Sequence, residues 1–223
     1  MLMTDVEIHH AMDKGDLVIE GFYEPSLQPA SYDMRIGKKI LISGIEDEID
    51  LEKKGSITIK AGNFALLTTY EKVKLSNTIA GHIGVKSYYT RKGLVLLAGL
   101  QIDPGFEGVL VLGVYNASPR SITIDYLAPF CTVEFHKLSI PVSKPFVSGD
   151  EQKMGLIPKA DKDYLRTLET KTLSEMSEAV RQLSVNVGQL SRLTYTLLIP
   201  LIIGLYIAIF TAFYAAFFAR LIH

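Results

Sequence analysis

From Leu197 to Phe218 the chain runs 22 residues without a charged side chain. No other feature restricts the fold as strongly. At 1.5 Å per residue a helix of that length spans roughly 30 Å, the hydrocarbon thickness of a bilayer. A helix on the surface of a soluble domain is apolar along one stripe, whereas this segment is apolar all round. A transmembrane helix is therefore expected over 197–219, with Arg192 and Arg220 flanking the run. Because only Arg220–His223 follow it, a single-pass C-terminal anchor is expected. Gly204, Ala208, Thr211, Ala212, Ala215 and Ala219 form a small-residue stripe of the kind that lets membrane helices approach closely. Tyr206, Phe210, Phe213, Tyr214 and Phe217 form an aromatic stripe about half a turn away. A plain anchor and a packed assembly both fit this pattern. Pro200, near the entry, is expected to interrupt or kink the helix.

Before the apolar run, Leu173, Met176, Val180, Leu183, Val187, Leu190, Thr194 and Leu197 alternate three and four residues apart. That is an a/d seam, predicting an amphipathic or coiled-coil helix over 164–196. Composition changes over Pro141–Lys162, which carries three Pro, two Gly and several charges, and a linker or flap is expected over 149–163. Residues 1–148 read differently. Thr4 and Glu7 form a capping box opening a helix that ends near Lys14–Gly15. Short β-branched runs separated by turn residues follow, among them Leu17–Ile19, Lys39–Ser43, Ser56–Lys60, Phe64–Tyr70, Ala80–Val85, Leu94–Ala98, Val109–Tyr115, Ser121–Tyr126 and Cys131–Leu138. This spacing predicts an all-β barrel or sandwich.

A net charge of −1 argues against a general nucleic-acid surface, so no DNA or RNA partner is expected. Cys131 is the single cysteine, which excludes an intrachain disulfide and suits a reducing compartment. It also excludes the two-Cys zinc site of common nucleobase deaminases, and no other metal-ligating set is read here. Met1–Asp16 is too polar for a secretory signal.

Two motifs lie between Val85 and Asn116. Lys86-Ser87-Tyr88-Tyr89-Thr90-Arg91-Lys92-Gly93-Leu94 puts cations and hydroxyls on a turn, a chemistry that holds phosphate. Ile102-Asp103-Pro104-Gly105-Phe106-Glu107-Gly108 puts an acid beside an aromatic in a Gly/Pro turn, which can hold a sugar. Each alone reads equally well as an ordinary β-turn. Together they resemble the dCTP deaminase branch of the trimeric dUTPase superfamily. Ser87, Arg91, Gly93, Asp103, Gly105, Phe106, Gly108 and Asn116 fall on its pattern, and the Ser-to-Gly spacing of the turn is that of the deaminase branch. Pro29-Ala30-Ser31-Tyr32-Asp33-Met34-Arg35-Ile36-Gly37 matches the family's first motif, in which Asp33 and Arg35 are read as structural. The resemblance implies a mainly β fold, a distorted antiparallel barrel of the dUTPase-like β-clip type, with sites at the interfaces of a homotrimer. It implies a deoxynucleotide ligand held by Lys86, Ser87, Arg91, Gln101, Ile102, Asp103 and Phe106. Gln152 and Lys153 are expected on the flap. It allows magnesium beside a bound triphosphate, and it places the barrel in the cytosol.

The chain departs from that pattern where chemistry is done. Five residues beyond Gly108, where the deaminases carry the Glu that activates water, stands Gly113. Lys86 replaces an Arg, losing the bidentate fork, and Tyr88 replaces a Ser. Ser87, Arg91 and Asp103 remain, but no residue is assigned as catalytic. Three functions are expected in competition. One is a membrane-anchored nucleotide-binding sensor or effector without deaminase activity. The second is a working dCTP deaminase or dUTP diphosphatase tethered to a membrane. The third is a trimerisation scaffold without ligand.

Overall fold

The computed structural model describes residues 1–45, 47–167 and 173–221. It divides into two units, Met1–Ser174 and Glu175–His223.

The first unit opens with helix α1 (Asp5–Asp13). Thr4 caps it as its spacing predicts: its hydroxyl accepts from Glu7 N, while the Glu7 carboxylate accepts from Thr4 N at 2.9 Å. The strands follow as β1 (Leu17–Glu20), β2 (Leu27–Gln28), β3 (Ser31–Ile42), β4 (Ile49–Asp50), β5 (Ser56–Ile59), β6 (Phe64–Leu75), β7 (Ile79–Val85), β8 (Leu94–Ala98), β9 (Gln101–Ile102), β10 (Glu107–Asn116), β11 (Ile122–Asp125) and β12 (Pro129–Lys137). All pairings are antiparallel, and the main sheet runs β8-β10-β6-β3-β12-β7-β9, with β1 on β6 and β2 and β4 on β3. It curls into a half-barrel. Strands β5 and β11 pair separately.

Alternation explains which face is buried. Along β3, Tyr32, Met34 and Ile36 point into the core, each at most 1% exposed. Phe130, Cys131, Val133 and Phe135 of β12 meet them in the same cluster. Register shifts bend the sheet at four places: between Ile36 and Ile40 where β3 meets β6, between Val109 and Val111 where β10 meets β6, between Gly113 and Val114 where β10 meets β8, and between Pro129 and Cys131 where β12 meets β3. Such bulges sharpen local twist, which lets a sheet of long strands close on itself. The expectation of a mainly antiparallel β fold behind an N-terminal helix holds. Several strands are longer than predicted: β6 and β10 extend past the expected runs, and β3 begins earlier because the motif Ser31–Gly37 is itself strand.

Short helices α2 (Leu51–Lys54) and α3 (Ser87–Thr90) lie between strands, and α4 (Asp150–Lys153) and α5 (Lys159–Thr167) follow the last strand. Ile157 and Leu165 are buried against Leu41 and Leu66, with Phe64 and Val111 beside them. The segment read as linker or flap is thus packed on the barrel.

The second unit is helical: α6 (Leu173–Leu193), a π-helical turn (Thr194–Leu198) and α7 (Ile199–Leu221). Pro200 does not break it. Proline lacks an N–H, and its ring presses on the carbonyl four residues back. The widened turn just before it relieves both. One stretch here, Glu178–Tyr214, is long and apolar enough to cross a membrane. Val180, Leu183, Val187 and Leu190 of the seam are exposed. The seam side chains of Leu173 and Met176, and the stripe residues Ala215, Phe217 and Ala219, lie outside the described side chains.

Candidate functional site

The basic turn is built on one buried ring. Tyr89 is 5% exposed and packs on Phe130 at 5.2 Å between centroids. With Tyr89 inward, its neighbours on α3 face out, and Ser87, Tyr88, Thr90 and Arg91 are exposed. Among the described residues, neither the Ser87 hydroxyl nor the Arg91 guanidinium has a partner. Lys86 does: its ammonium is ion-paired with Asp33, whose side chain is 9% exposed. The cation expected to meet phosphate therefore already neutralises a buried carboxylate of the first motif. Arg35, on the same strand, pairs with the fully buried Glu71. Its Nε donates to Oε1 at 2.6 Å, and its backbone N donates to Oε2 at 2.9 Å. The guanidinium also donates to Gly21 O and stacks on Tyr70 at 4.7 Å. Both charged residues of the first motif fasten neighbouring segments, as read from the sequence.

The acidic hairpin follows β9. Asp103 is exposed, and Gln101 Nε2 donates to its Oδ1 at 2.8 Å, which fixes the carboxylate. Ile102 is a core residue, seated on Gly81. Phe106 is 7% exposed and stacks on Phe146 at 6.1 Å. The chain after the barrel clasps this hairpin. Phe146 N donates to Pro104 O at 2.7 Å, and Glu107 N donates to Ser148 Oγ at 2.7 Å. A Cβ on Gly105 would lie 2.7 Å from Pro145 and Phe146, and one on Gly108 would lie 2.6 Å from Gln152 O. Both glycines also have positive φ, so the tail and the backbone demand the same residue. Gln152 and Lys153 therefore sit on the hairpin's own strand. Lys153 lines a small cleft with Glu20, Lys72 and Glu107.

Turn and hairpin do not meet within one chain. Strand β9 pairs with β7 so that Gly81 faces Ile102 and His82 faces Gln101. Asp103 is thus level with Ala80 at the start of β7, while Ser87 lies beyond its end. Ala80 and Ser87 are seven residues apart along this mostly extended stretch, roughly 23 Å.

Comparison with known proteins places this geometry. The family model described as dCTP deaminase-like matches residues 2–138. The chain belongs to the dCTP deaminase-like family. The dCTP deaminase of Pyrococcus abyssi is 37% identical over 146 residues, 66% of this chain and 90% of that protein. That of Haloarcula marismortui is 28% identical over 167 residues, 66% of this chain and 85% of that protein. Among solved structures, the 2'-deoxycytidine 5'-triphosphate deaminase of Agrobacterium tumefaciens aligns with a TM-score of 0.50 at 19% identity. It shares the fold over 60% of this chain and 47% of its own, so the present chain spans about half its length.

Against the pattern of the dCTP deaminase-like family, Gly113 is a buried position on β10, paired with Leu66 on one side and Ala98 on the other. Neighbouring acids are engaged elsewhere. Glu107 pairs with Lys74 at 3.3 Å, and Glu134 stands opposite His82 on β12, 3.6 Å from His136. Residues that sequence reasoning missed are Glu71, Phe146 and Ser148. Glu71 carries no local signal, since an acid in an alternating strand reads as solvated. The Phe146 ring in a Pro-rich segment was a signal for docking that the linker reading passed over.

Proposed function

We propose that the barrel binds a deoxynucleotide at sites shared between subunits of a homotrimer, does not deaminate it, and is anchored to a membrane by α7. One observation carries the reading. Ser87 and Arg91 present an unengaged hydroxyl and guanidinium on a rigid turn, while the side chain at the family's general-base position is reduced to hydrogen at Gly113. Loss of a general base lowers rate by a factor of about 10²–10⁴, whereas binding to phosphate and sugar draws on other residues. Within one chain Asp103 lies too far from Ser87 for one nucleotide to touch both, so a second copy supplies the complementary half. The exposed seam of α6 suits parallel association of the same copies. Among the described residues no three His, Cys, Asp or Glu side chains converge to hold a metal. A magnesium ion would arrive with the phosphates of the ligand it accompanies.

The clasp between the hairpin and residues 145–153 supports a sensing role. Ligand that moves Asp103 pulls on the segment leading to α5 and onward to α6. Such coupling requires that the ligand favour one state over the other. The second reading, a working dCTP deaminase or dUTP diphosphatase on a membrane, is favoured by the 37% identity to a dCTP deaminase.

The test is direct. Full-length protein in detergent is titrated with dCTP and dUTP, then assayed for deamination and for pyrophosphate release. Binding that Ser87→Ala with Arg91→Ala abolishes, without product, supports the proposal. Turnover near 1 s⁻¹ or faster, an ordinary enzyme rate, establishes the enzyme reading. Absence of binding leaves the scaffold.

A further inference from the structure

The short helix α3 has a second outward side. Ser87 and Arg91 are four residues apart, and so are Tyr88 and Lys92, which puts the two pairs on adjacent faces of one turn. Tyr88 and Lys92 look into a groove of about 600 Å³, whose far wall is Ser118, Arg120, Ser121 and Thr123. Lys92 Nζ lies 3.7 Å from the Tyr88 ring centroid, a cation–π contact that holds the ammonium at the groove edge. The Arg120 guanidinium has no partner among the described residues, and no carboxylate lines the groove among them. The groove therefore carries two cations and several hydroxyls with nothing to neutralise them.

The far wall is built, not loose. Asn116 is fully buried, and its Nδ2 donates to Ile59 O at 2.9 Å and to Arg120 O at 2.8 Å. Its Oδ1 accepts from Ser118 N at 3.0 Å and from Ser118 Oγ at 2.8 Å. Ala117 N donates to Gly93 O at 2.9 Å, and a Cβ on Gly93 would lie 2.7 Å from Ser118 Cβ. The loop 116–121 is thus fastened to the turn 87–93, which fixes the backbone from which Lys92 and Arg120 project.

We propose that this groove is a second anion site, separate from Ser87, Arg91 and Asp103, and that it takes the polyphosphate part of a small molecule. Arg120 supplies a planar fork matched to phosphate oxygens, and Lys92 supplies a point charge. A groove of this volume with cations on both walls is oversized for one phosphate and suits a short chain of them.

Inorganic tripolyphosphate is the probe, titrated into the full chain in detergent by calorimetry. Two classes of site are expected. Lys92→Ala with Arg120→Ala should remove one class, weakening it roughly tenfold or more. Ser87→Ala with Arg91→Ala should remove the other and leave the groove class intact. Both substituted side chains of the groove are exposed, so the fold does not depend on them. Lys14→Ala with Lys144→Ala removes the same charge elsewhere and should change nothing. The inference is overturned if the groove variant binds like the parent, or if the remote variant weakens binding equally. If the groove class persists while Ser87 and Arg91 prove dispensable, the shared nucleotide site falls and the groove stands.

Discussion

Arg35 and Asp33 lie two residues apart on β3, and each is matched to an opposite charge from a distant strand or turn. Glu71 is wholly buried, so Arg35→Ala leaves a carboxylate uncompensated in the core. Removing one partner of such a pair costs about 3–5 kcal/mol, and urea denaturation should show a loss of that order. Lys86→Ala should also lower stability, by less, because Lys86 is a third exposed. That loss separates a structural Lys86 from one used only for ligand, whose removal would leave the unfolding midpoint unchanged. At Gly113, Gly113→Glu restores the missing carboxylate. If the general base is all that is lost, dUTP formed from dCTP should rise by at least about tenfold over the parent, within the range a general base supplies. These residue-level features were unevenly legible. Ser87, Arg91, Asp103 and Gly113 announce themselves by type and spacing. Glu71 does not, because its partner is 36 residues away and only the sheet brings them together.

At the scale of elements, alternation disclosed most strands, and Thr4 with Glu7 disclosed α1. The docking of the tail was hidden. Ile157 and Leu165 are eight residues apart among charges, too sparse to show a face, yet both are buried. Polar contacts hold the same segment. Burial works against ionised Glu48, but its ion pairs with Lys162 and Lys39 outweigh it and hold its carboxyl below the usual range. A depressed acid stabilises the folded state above its unfolded pKa and loses that contribution as pH falls through the folded value. Docking of α5 should therefore weaken below about pH 4.3, seen as faster amide exchange over residues 157–167, while at neutral pH protection is full. Gly108→Ala attacks the clasp from the other side. With φ at +143° and Gln152 O 2.6 Å from the new Cβ, the tail must shift. Limited proteolysis should cut within 149–156 sooner than in the parent, while β10 stays protected.

For the whole molecule, the expectation is assembly by threes. Native mass spectrometry of the full chain in detergent should give three copies. A chain ending at Thr167, which keeps the buried Leu165, should remain trimeric if the barrel suffices. A monomer in both would remove the trimer and the shared site together. The long apolar helix was the most legible element, because 22 uncharged residues admit few alternatives. Its packing was not, since a small-residue stripe has the same spacing whether or not a partner lies against it.

The separation of Ser87 from Asp103 along β7 also has a genetic meaning. If the proposed homotrimer shares its sites between subunits, two defective alleles, one altered at Ser87 and one at Asp103, each spoil every site when expressed alone. Expressed together at equal levels they assort at random, and about one quarter of the shared sites combine an intact turn with an intact hairpin. Two null alleles of this single gene should then complement each other in one cell, whereas two nulls both altered in the turn should not.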